Sequence, residues 1–527
     1  MSSHNQTSPL AAKTVLAVLL LLALPILLSA QAKKTAAKSV ASTGPLAAAQ
    51  KQLSQGDIQG AEAAVWQILS VNPNDKQALT LLAAIRVKQQ QFPEAESLLR
   101  RVILLDPKAI DPHVSLSDVL LTQQKLDDAV AEYETAEQIE PGNIELKANF
   151  ARLLLIKGDS ERSLATLNQI PPARFPETGI PIKAAALLSL GKKTEAISLA
   201  DNAKSPALRI TLAEVFLRGG LPDQSLRILK DIPPPAKGFP FQYHYLMGQI
   251  QLALNHPDQA QISLRKATLL APKSVEALMA LAESSAMQGK HADSVAALQK
   301  AHDLVPNAVP VLHYLVIEAE ASGQHAVALG AARQLIQESP DDLDNVFLAS
   351  AAMLQANDSI SALSALKGYT AKRPDDPKGW LALGMSHLIQ KNYPEAREAL
   401  ERSAKIAPNQ AETEYQLGIL SDAETKQDEA IAHFERVLQL QPNHAKALGK
   451  IGSLYLQQGN LAKAEDALKR SSAADSSNPD TEYKLAMVLG KMGKPDEARE
   501  HMRRFQELKN AGRSTSTAAK PETKDGG

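Results

Sequence analysis

The chain has 527 residues, beyond the ~250–300 at which a single hydrophobic core stops growing, so it forms several domains or one elongated array. Apolar residues at 44% and charged residues at 22% exclude wholesale disorder. Lys plus Arg (57) and Asp plus Glu (58) leave a formal net charge of −1, which removes a broad electrostatic case for nucleic acid, and the absence of cysteine excludes disulfides, thiolate metal sites and cysteine nucleophiles.

In chain order, the first element is apolar. Thr14 to Ala30 carry no charge, and Val15 to Leu28 is an aliphatic run broken only by Pro25. Lys13 precedes it, and Ala30-Gln31-Ala32 has the small residues of a cleavage site. The pattern predicts a secretory signal peptide, or a membrane anchor if uncleaved, over residues 1–32, although the run is short of the ~20 residues of a spanning helix. Lys33, Lys34 and Lys38 outnumber Lys13, and in an uncleaved chain this bias favours a cytoplasmic location for everything that follows. Residues 33–41 are small, polar and basic, the composition of a tether.

A period of 34 residues governs the rest. Pro73, Pro107 and Pro141 are one step apart, and Pro272, Pro306, Pro340, Pro374, Pro408 and Pro442 repeat it. Apolar residues at unit positions 4, 7 and 11 make one face of a first helix. Small residues at positions 8 and 20 let a second, antiparallel helix approach closely. Gly158, Gly191, Gly289, Gly323, Gly459 and Gly493 fall between the two helices, and proline at position 32 ends the second. About fourteen such units fit between residues 42 and 510. The frame divides the chain into an N-terminal array at 42–170, a degenerate stretch at 171–240 and a C-terminal array at 241–510. From Pro141 to Pro272 the chain is five residues short of four periods. The proline clusters Pro171, Pro172, Pro176, Pro181 and Pro233, Pro234, Pro235, Pro240 predict shortened second helices there and a bend or simple repeat decay. Met502, Phe505 and Leu508 continue the last helix, with Arg503, Arg504 and Lys509 exposed. Residues 511–527 read as a disordered tail.

The unit from Pro377 shows Trp380, Leu383-Gly384, Ala396, Leu400 and Pro408, the next Leu417-Gly418, Ala430, Phe434 and Pro442. This resembles the tetratricopeptide repeat (TPR) pattern W-x2-L-G-x2-Y, A-x3-F, P, departing from it at His387, which stands at the tyrosine position. The resemblance implies an all-α solenoid superhelix of helix-turn-helix units. It also implies that positions 2, 5, 9, 12 and 13 of successive first helices line a concave groove. Carried onto this chain, the groove candidates are Tyr245, Met279, His313, Phe347, Leu381, Met385, Tyr415, Ile419, Tyr483 and Met487, joined by Gln249, Glu283, Ile317, Lys378 and Ser453. Tyr, Phe and Met with few charges suit apolar or amphipathic protein segments. No unit combines Lys at position 5 with Asn at position 9, so the carboxylate-clamping subgroup of chaperone adaptors is disfavoured.

No catalytic constellation stands out. The twelve histidines form no His-Glu-x-x-His pattern, and His291 and His302 read as surface residues rather than a metal pair. Gly191-Lys192-Lys193-Thr194 lacks the upstream glycine of a phosphate loop, because Ala186 stands there. No metal or cofactor is expected. The function expected is that of a non-enzymatic scaffold in a bacterial envelope, periplasmic or anchored facing the periplasm, serving assembly or export machinery and, by analogy, polysaccharide. The alternative is a membrane-anchored adaptor whose array faces the cytoplasm.

Overall fold

A computed structural model describes residues 44–201 and 203–517, with side chains to Asn510. The expected signal or anchor at 1–32 and the tether at 33–41 lie outside these residues, as does 518–527. Among the described residues there are twenty-eight α-helices and one short 3-10 turn at Pro172–Arg174. The helices pair into fourteen helix-turn-helix units, as the period predicts. None is long and apolar enough to cross a membrane.

The reason these residues form helices of this length lies at their ends. Asp75, Asn143, Asp159, Asp358 and Asn460 each accept a hydrogen bond from the backbone N–H three residues on, satisfying a donor that the first turn leaves open. At the other end of every first helix stands a residue with positive φ. Gly56, Gly158, Gly191, Gly220, Gly289, Gly323, Gly459 and Gly493 fill eight of the fourteen turns, and Gln90, Gln124, Asn255, Asn357, Lys391 and Thr425 fill six. The residue after each donates its N–H five residues back, as Asp159 does to the Leu154 carbonyl at 2.8 Å and Lys426 to that of Ser421 at 2.8 Å. This closes the helix and reverses the chain. Glycine was therefore an incomplete marker of the turn. Asn357-Asp358-Ser359, which has the Asn-x-Ser spacing of a glycosylation sequon, also belongs here, as a turn residue followed by a helix cap.

Most second helices have 14 residues, but Ser160–Asn168 has 9, Lys193–Ala200 has 8 and Pro222–Lys230 has 9. The expected shortening in the proline-rich stretch is present. Its register loss is concentrated between the turn residues Gly191 and Gly220, which are 29 apart rather than 34.

The helices group into two units. The first runs to Pro272 and contains seven repeats. Its core joins Ala83, Leu99, Leu120 and Tyr133 to Phe150 and Leu154, and further on Leu187, Leu212, Phe216 and Leu229. The second begins at Lys273 and also holds seven repeats, around Leu298, Leu312, Val316, Leu335 and Leu366, then Phe434, Ile451, Leu468 and Leu485. Within each unit a helix packs on its sequence neighbours, so apolar faces are covered only by adjacent repeats.

Helix pairs close where the small residues stand. Ala61, Ala95, Ala129, Ala328, Ala396, Ala430 and Ala464 are fully buried. A Cβ placed on Gly418 would stand 2.7 Å from the Phe434 ring, and one on Gly384 2.6 Å from Leu400. His387, at the pattern's tyrosine position, is buried, and desolvation followed by the Lys367 charge lowers its pKa against a smaller upward pull from Glu395. The last helix, Pro495–Thr517, continues past 511, where the tail was expected to begin. No proline occurs between Pro495 and Pro521 to stop it.

Candidate partner-binding groove

The first helices carry the candidate side chains at fixed register, and burial sorts them. In the unit ending at Pro272, Tyr245 is half-buried. Its ring stacks on Phe241 with centroids 5.5 Å apart, and its hydroxyl accepts from Gln249 Nε2 at 2.9 Å. That tyrosine is held in place by its own helix.

In the unit from Lys273, Met279 is half-buried against Leu278, Ala301 and Val311. His313 shares a 2.7 Å hydrogen bond between Nδ1 and Asn345 Oδ1 of the following repeat. Phe347 packs on Tyr369 at 5.4 Å, and Leu381 and Met385 are half-buried. Tyr415 sits between Phe434 at 5.6 Å and His444 at 5.3 Å, and burial, followed by the Glu412 charge, raises its phenol. Ile419 packs against the same cluster. Of the apolar and aromatic candidates only Tyr483, Met487 and Ile317 stay open, at 40%, 38% and 38% exposure, and the charged candidates Glu283 and Lys378 are exposed as well. Met287 and Ile389, at position 13 of their repeat units, and Tyr314, at position 6, are open as well. The first two were legible from the register, whereas Tyr314 lies outside the positions assigned to the groove.

Electrostatics adds little charge to this stripe. Glu283 is accessible, yet the protein around it raises its carboxyl through desolvation, and it makes no ion pair among the described residues. Charges cluster instead between repeats. Arg397 bridges to Glu424 and to Glu429 (2.6 Å), Arg333 to Asp358 (2.6 Å) and Lys494 to Glu465 (2.8 Å). Among the described residues no group of three or more His, Asp or Glu is placed to hold a metal. His291 lies 3.0 Å from Glu318, and Gly191 is a turn residue with φ +75°, not part of a phosphate loop.

Tetratricopeptide repeat models match residues 52–116, 120–177 and 423–480, residues 245–309 and 348–411, and residues 480–508, together more than half of the chain. The chain belongs to the tetratricopeptide repeat family. No match exists among curated protein sequences. Among solved structures, the TPR chain is similar to one in the APC/C hetero-tetramer Cut9–Hcn1, at 15% identity over 82% of this chain and 94% of that one, with a TM-score of 0.42. It is also similar to MamA (21%, 31% and 96%, TM-score 0.29) and to TTC0263, a thermophilic TPR protein in Thermus thermophilus (19%, 34% and 99%, TM-score 0.31). Nothing about the function of this TPR protein rests on these likenesses.

One cluster was missed by the register reading. Asp118 and Arg152 occupy position 9 in the third and fourth TPR units, and Tyr133 lies on the second helix of the third. Asp118 and Arg152 are half-buried and Tyr133 is 3% exposed. Burial pushes the Asp118 carboxyl up to about 6 against the downward pull of Arg152. Burial also raises the Tyr133 phenol, with the Asp118 charge adding to the effect. Asp118 and Arg152 are 34 residues apart in sequence, so only the repeat period could have signalled that they share a face.

Proposed function

We propose that this TPR protein is a non-enzymatic scaffold that holds apolar or amphipathic protein segments on the first-helix face of its repeats. The observation that carries the reading is the open stripe Ile317, Ile389, Tyr483 and Met487 in the unit from Lys273. These are large apolar side chains left half-accessible at groove positions, whereas Phe347, Tyr415 and Ile419, at groove positions of other repeats, are half-buried and packed on Tyr369 or in the Phe434 cluster. Apolar and aromatic side chains backed by a rigid scaffold are what a protein interface needs. The test places a photo-crosslinking amino acid at Tyr483 and at Met487 in the native host, with Glu398, exposed on a second helix, as control. A discrete protein adduct at the first two positions and none at Glu398 is the expected result. No adduct from a folded array, or equal labelling at Glu398, overturns the reading.

The setting proposed is the bacterial envelope, with residues 1–32 as signal or anchor and with assembly or export machinery, including that of polysaccharide, as the process served. The apolar run Val15 to Leu28 supports it. Lys33, Lys34 and Lys38 favour the second reading, an anchored adaptor facing the cytoplasm. Intact mass of the native protein separates the two. A chain beginning at Gln31 or Lys33 supports export. A full-length chain in the membrane fraction whose array survives protease on spheroplasts supports the adaptor.

A further inference from the structure

We infer that the outer face of helix Pro257–Leu270, the second helix of the seventh repeat, docks on a lipid surface that carries anionic headgroups. Ile262, Leu269 and Leu270 enter the acyl boundary, and Arg265 and Lys266 pair with the headgroups. The face stands on a second helix, apart from the first-helix groove, so the inference goes beyond the scaffold reading and does not depend on it.

Two observations carry it. First, one helix face combines bare aliphatic and basic side chains. Ala260, Leu264 and Ala267 are fully buried on the inner side of the helix, whereas Ile262, Leu269 and Leu270 are 60%, 80% and 55% exposed. These three stand at i, i+7 and i+8, with exposed Arg265 and Lys266 at i+3 and i+4, so all five share a face. The only acid in the helix, Asp258, lies in its first turn, about 16 Å along the axis from Leu269.

Second, the two cations are spare. In other repeats the residue at position 26 reaches back to the loop before its own repeat. Arg101 donates to the Pro73 carbonyl at 2.9 Å and to Asn74 Oδ1 at 2.8 Å, Gln334 to the Pro306 carbonyl at 3.0 Å and to Asn307 Oδ1 at 3.1 Å, and Arg436 to Asn409 Oδ1 at 3.0 Å. At Lys266 the Pro-Asn pair of that loop is replaced by Gly238 and Phe239 of the proline-rich stretch. Arg265 stands where Arg100 does in the second repeat. Arg100 bonds Glu96 one turn earlier at 2.9 Å, but Gln261 takes the place of that glutamate here. Among the described residues the Arg265 guanidinium and the Lys266 ammonium make no ion pair or hydrogen bond.

The composition selects the occupant. Protein interfaces are rich in Tyr, Trp, Phe and Met and poor in Lys. This face has no aromatic residue and no methionine, unlike the groove with Tyr483 and Met487. Aliphatic tips between long basic side chains suit a bilayer interface, where the stems of Arg and Lys lie along apolar surface and their charges stay among the headgroups. A neutral lipid surface would leave both cations without a counter-charge, so the headgroups are anionic. The second repeat provides the comparison. Arg100-Arg101-x-x-Leu104-Leu105 repeats the pattern of Arg265-Lys266-x-x-Leu269-Leu270 at the same unit positions, and Leu104 is 81% exposed, but both arginines are engaged by the protein.

The test uses the full-length protein, whose lack of cysteine allows one environment-sensitive dye to be attached through Leu269→Cys. Leu104→Cys and Glu398→Cys carry the dye as controls. The vesicles are phosphatidylcholine alone or with about 30% phosphatidylglycerol, and a nitroxide on the acyl chains quenches only a dye seated among them. The apolar run Val15 to Leu28 can hold the whole chain on either vesicle, so the readout is where the dye sits rather than whether the chain binds. Quenching at 269 on the anionic vesicles is expected, with none at 104 or 398. The ratio of quenched to unquenched dye should fall about 25-fold when Arg265→Gln and Lys266→Gln are combined, each basic residue near an anionic surface being worth about fivefold. It should also fall on phosphatidylcholine alone and in about 1 M salt. Every substituted side chain is exposed, so the repeats keep their packing. The inference is overturned if 269 is not quenched on anionic vesicles, if the double variant or the neutral vesicles quench as strongly, or if 104 or 398 is quenched equally. A lipid-free blue shift of the dye that grows with protein concentration assigns the face to a second copy instead. A discrete protein adduct from a photo-crosslinking residue at 269 in the host, without quenching by vesicles, assigns it to a protein partner. Either result also overturns the inference.

Discussion

Thr425 holds a backbone conformation that its side chain resists. Its φ is +64°, and a β-branched residue in the left-handed region costs about 1–2 kcal/mol relative to glycine. Glycine loses more entropy on folding, which offsets part of that gain. Thr425→Gly is expected to stabilise the C-terminal repeats by about 1 kcal/mol, read as a rise in the urea midpoint at unchanged slope. Buried serines make the opposite kind of comparison. Ser163 Oγ donates to the Ala151 carbonyl across the helix pair at 2.7 Å, whereas Ser294, at the same unit position, is fully buried and its hydroxyl has no partner among the described residues. Ser163→Ala should cost about 1 kcal/mol, and Ser294→Ala should leave the midpoint unchanged or higher. Asp118 adds a pH term. Its folded pKa, about 6, lies above its ordinary 3.8, so the folded state binds the proton more tightly. The stabilising contribution is fully present below pH 4 and is lost as pH rises through 6. Asp118→Asn is therefore expected to exceed the wild type in stability by about 2 kcal/mol at pH 7.5, with the advantage gone by pH 4, as measured by denaturant titration at both values.

At the scale of the helix pair, the closest approach decides what is tolerated. Gly418 faces the fully buried Phe434, and a methyl group there would meet the ring at 2.7 Å. A ring enclosed by its neighbours has nowhere to move, so Gly418→Ala should cost about 1–3 kcal/mol. Gly459→Ala, at a turn with no atom within 4 Å, is strained only by its φ of +76°. Thermal unfolding of the two variants separates the packing penalty from the backbone penalty. The prolines acted at this scale too. Pro171 and Pro172 stop one second helix at Asn168, and Pro233 to Pro235 follow another that ends at Lys230. A ring that lacks an N–H and clashes with the preceding turn has the same effect wherever it occurs, so this shortening could be read from the chain.

At the scale of the whole molecule, repeats communicate through their neighbours. Phe216 is fully buried in the core formed by Leu187, Leu212, Leu229 and Leu246, all within repeats five to seven. Phe216→Ala should cost those repeats about 3–5 kcal/mol. Hydrogen exchange should show lost protection in Pro206–Arg218 and the helices beside it, with helices Ala445–Gln457 and Pro479–Lys491 unchanged. Uniform loss across all fourteen repeats would mean that the array unfolds as one cooperative body.

The architecture was legible because repetition writes it many times. A 34-residue proline step, apolar residues at helical spacing and small residues at two fixed positions each act through local backbone geometry or through contact with an adjacent repeat. Both are short-range in sequence. The open and closed members of the groove were not legible. Tyr483 and Tyr415 stand at the same unit position, yet one is half-exposed beside Phe505 and the other is covered by Phe434 and His444. Register sets the direction of a side chain, but its exposure depends on the bulk of residues one helix or one repeat away. The six non-glycine turn residues were hidden for a similar reason, since the closing hydrogen bonds and the packed helices on either side hold a conformation that intrinsic preference alone disfavours. The meeting of Asp118, Tyr133 and Arg152 required packing across two repeats, because the burial that perturbs them exists only once neighbouring helices have displaced the water around them.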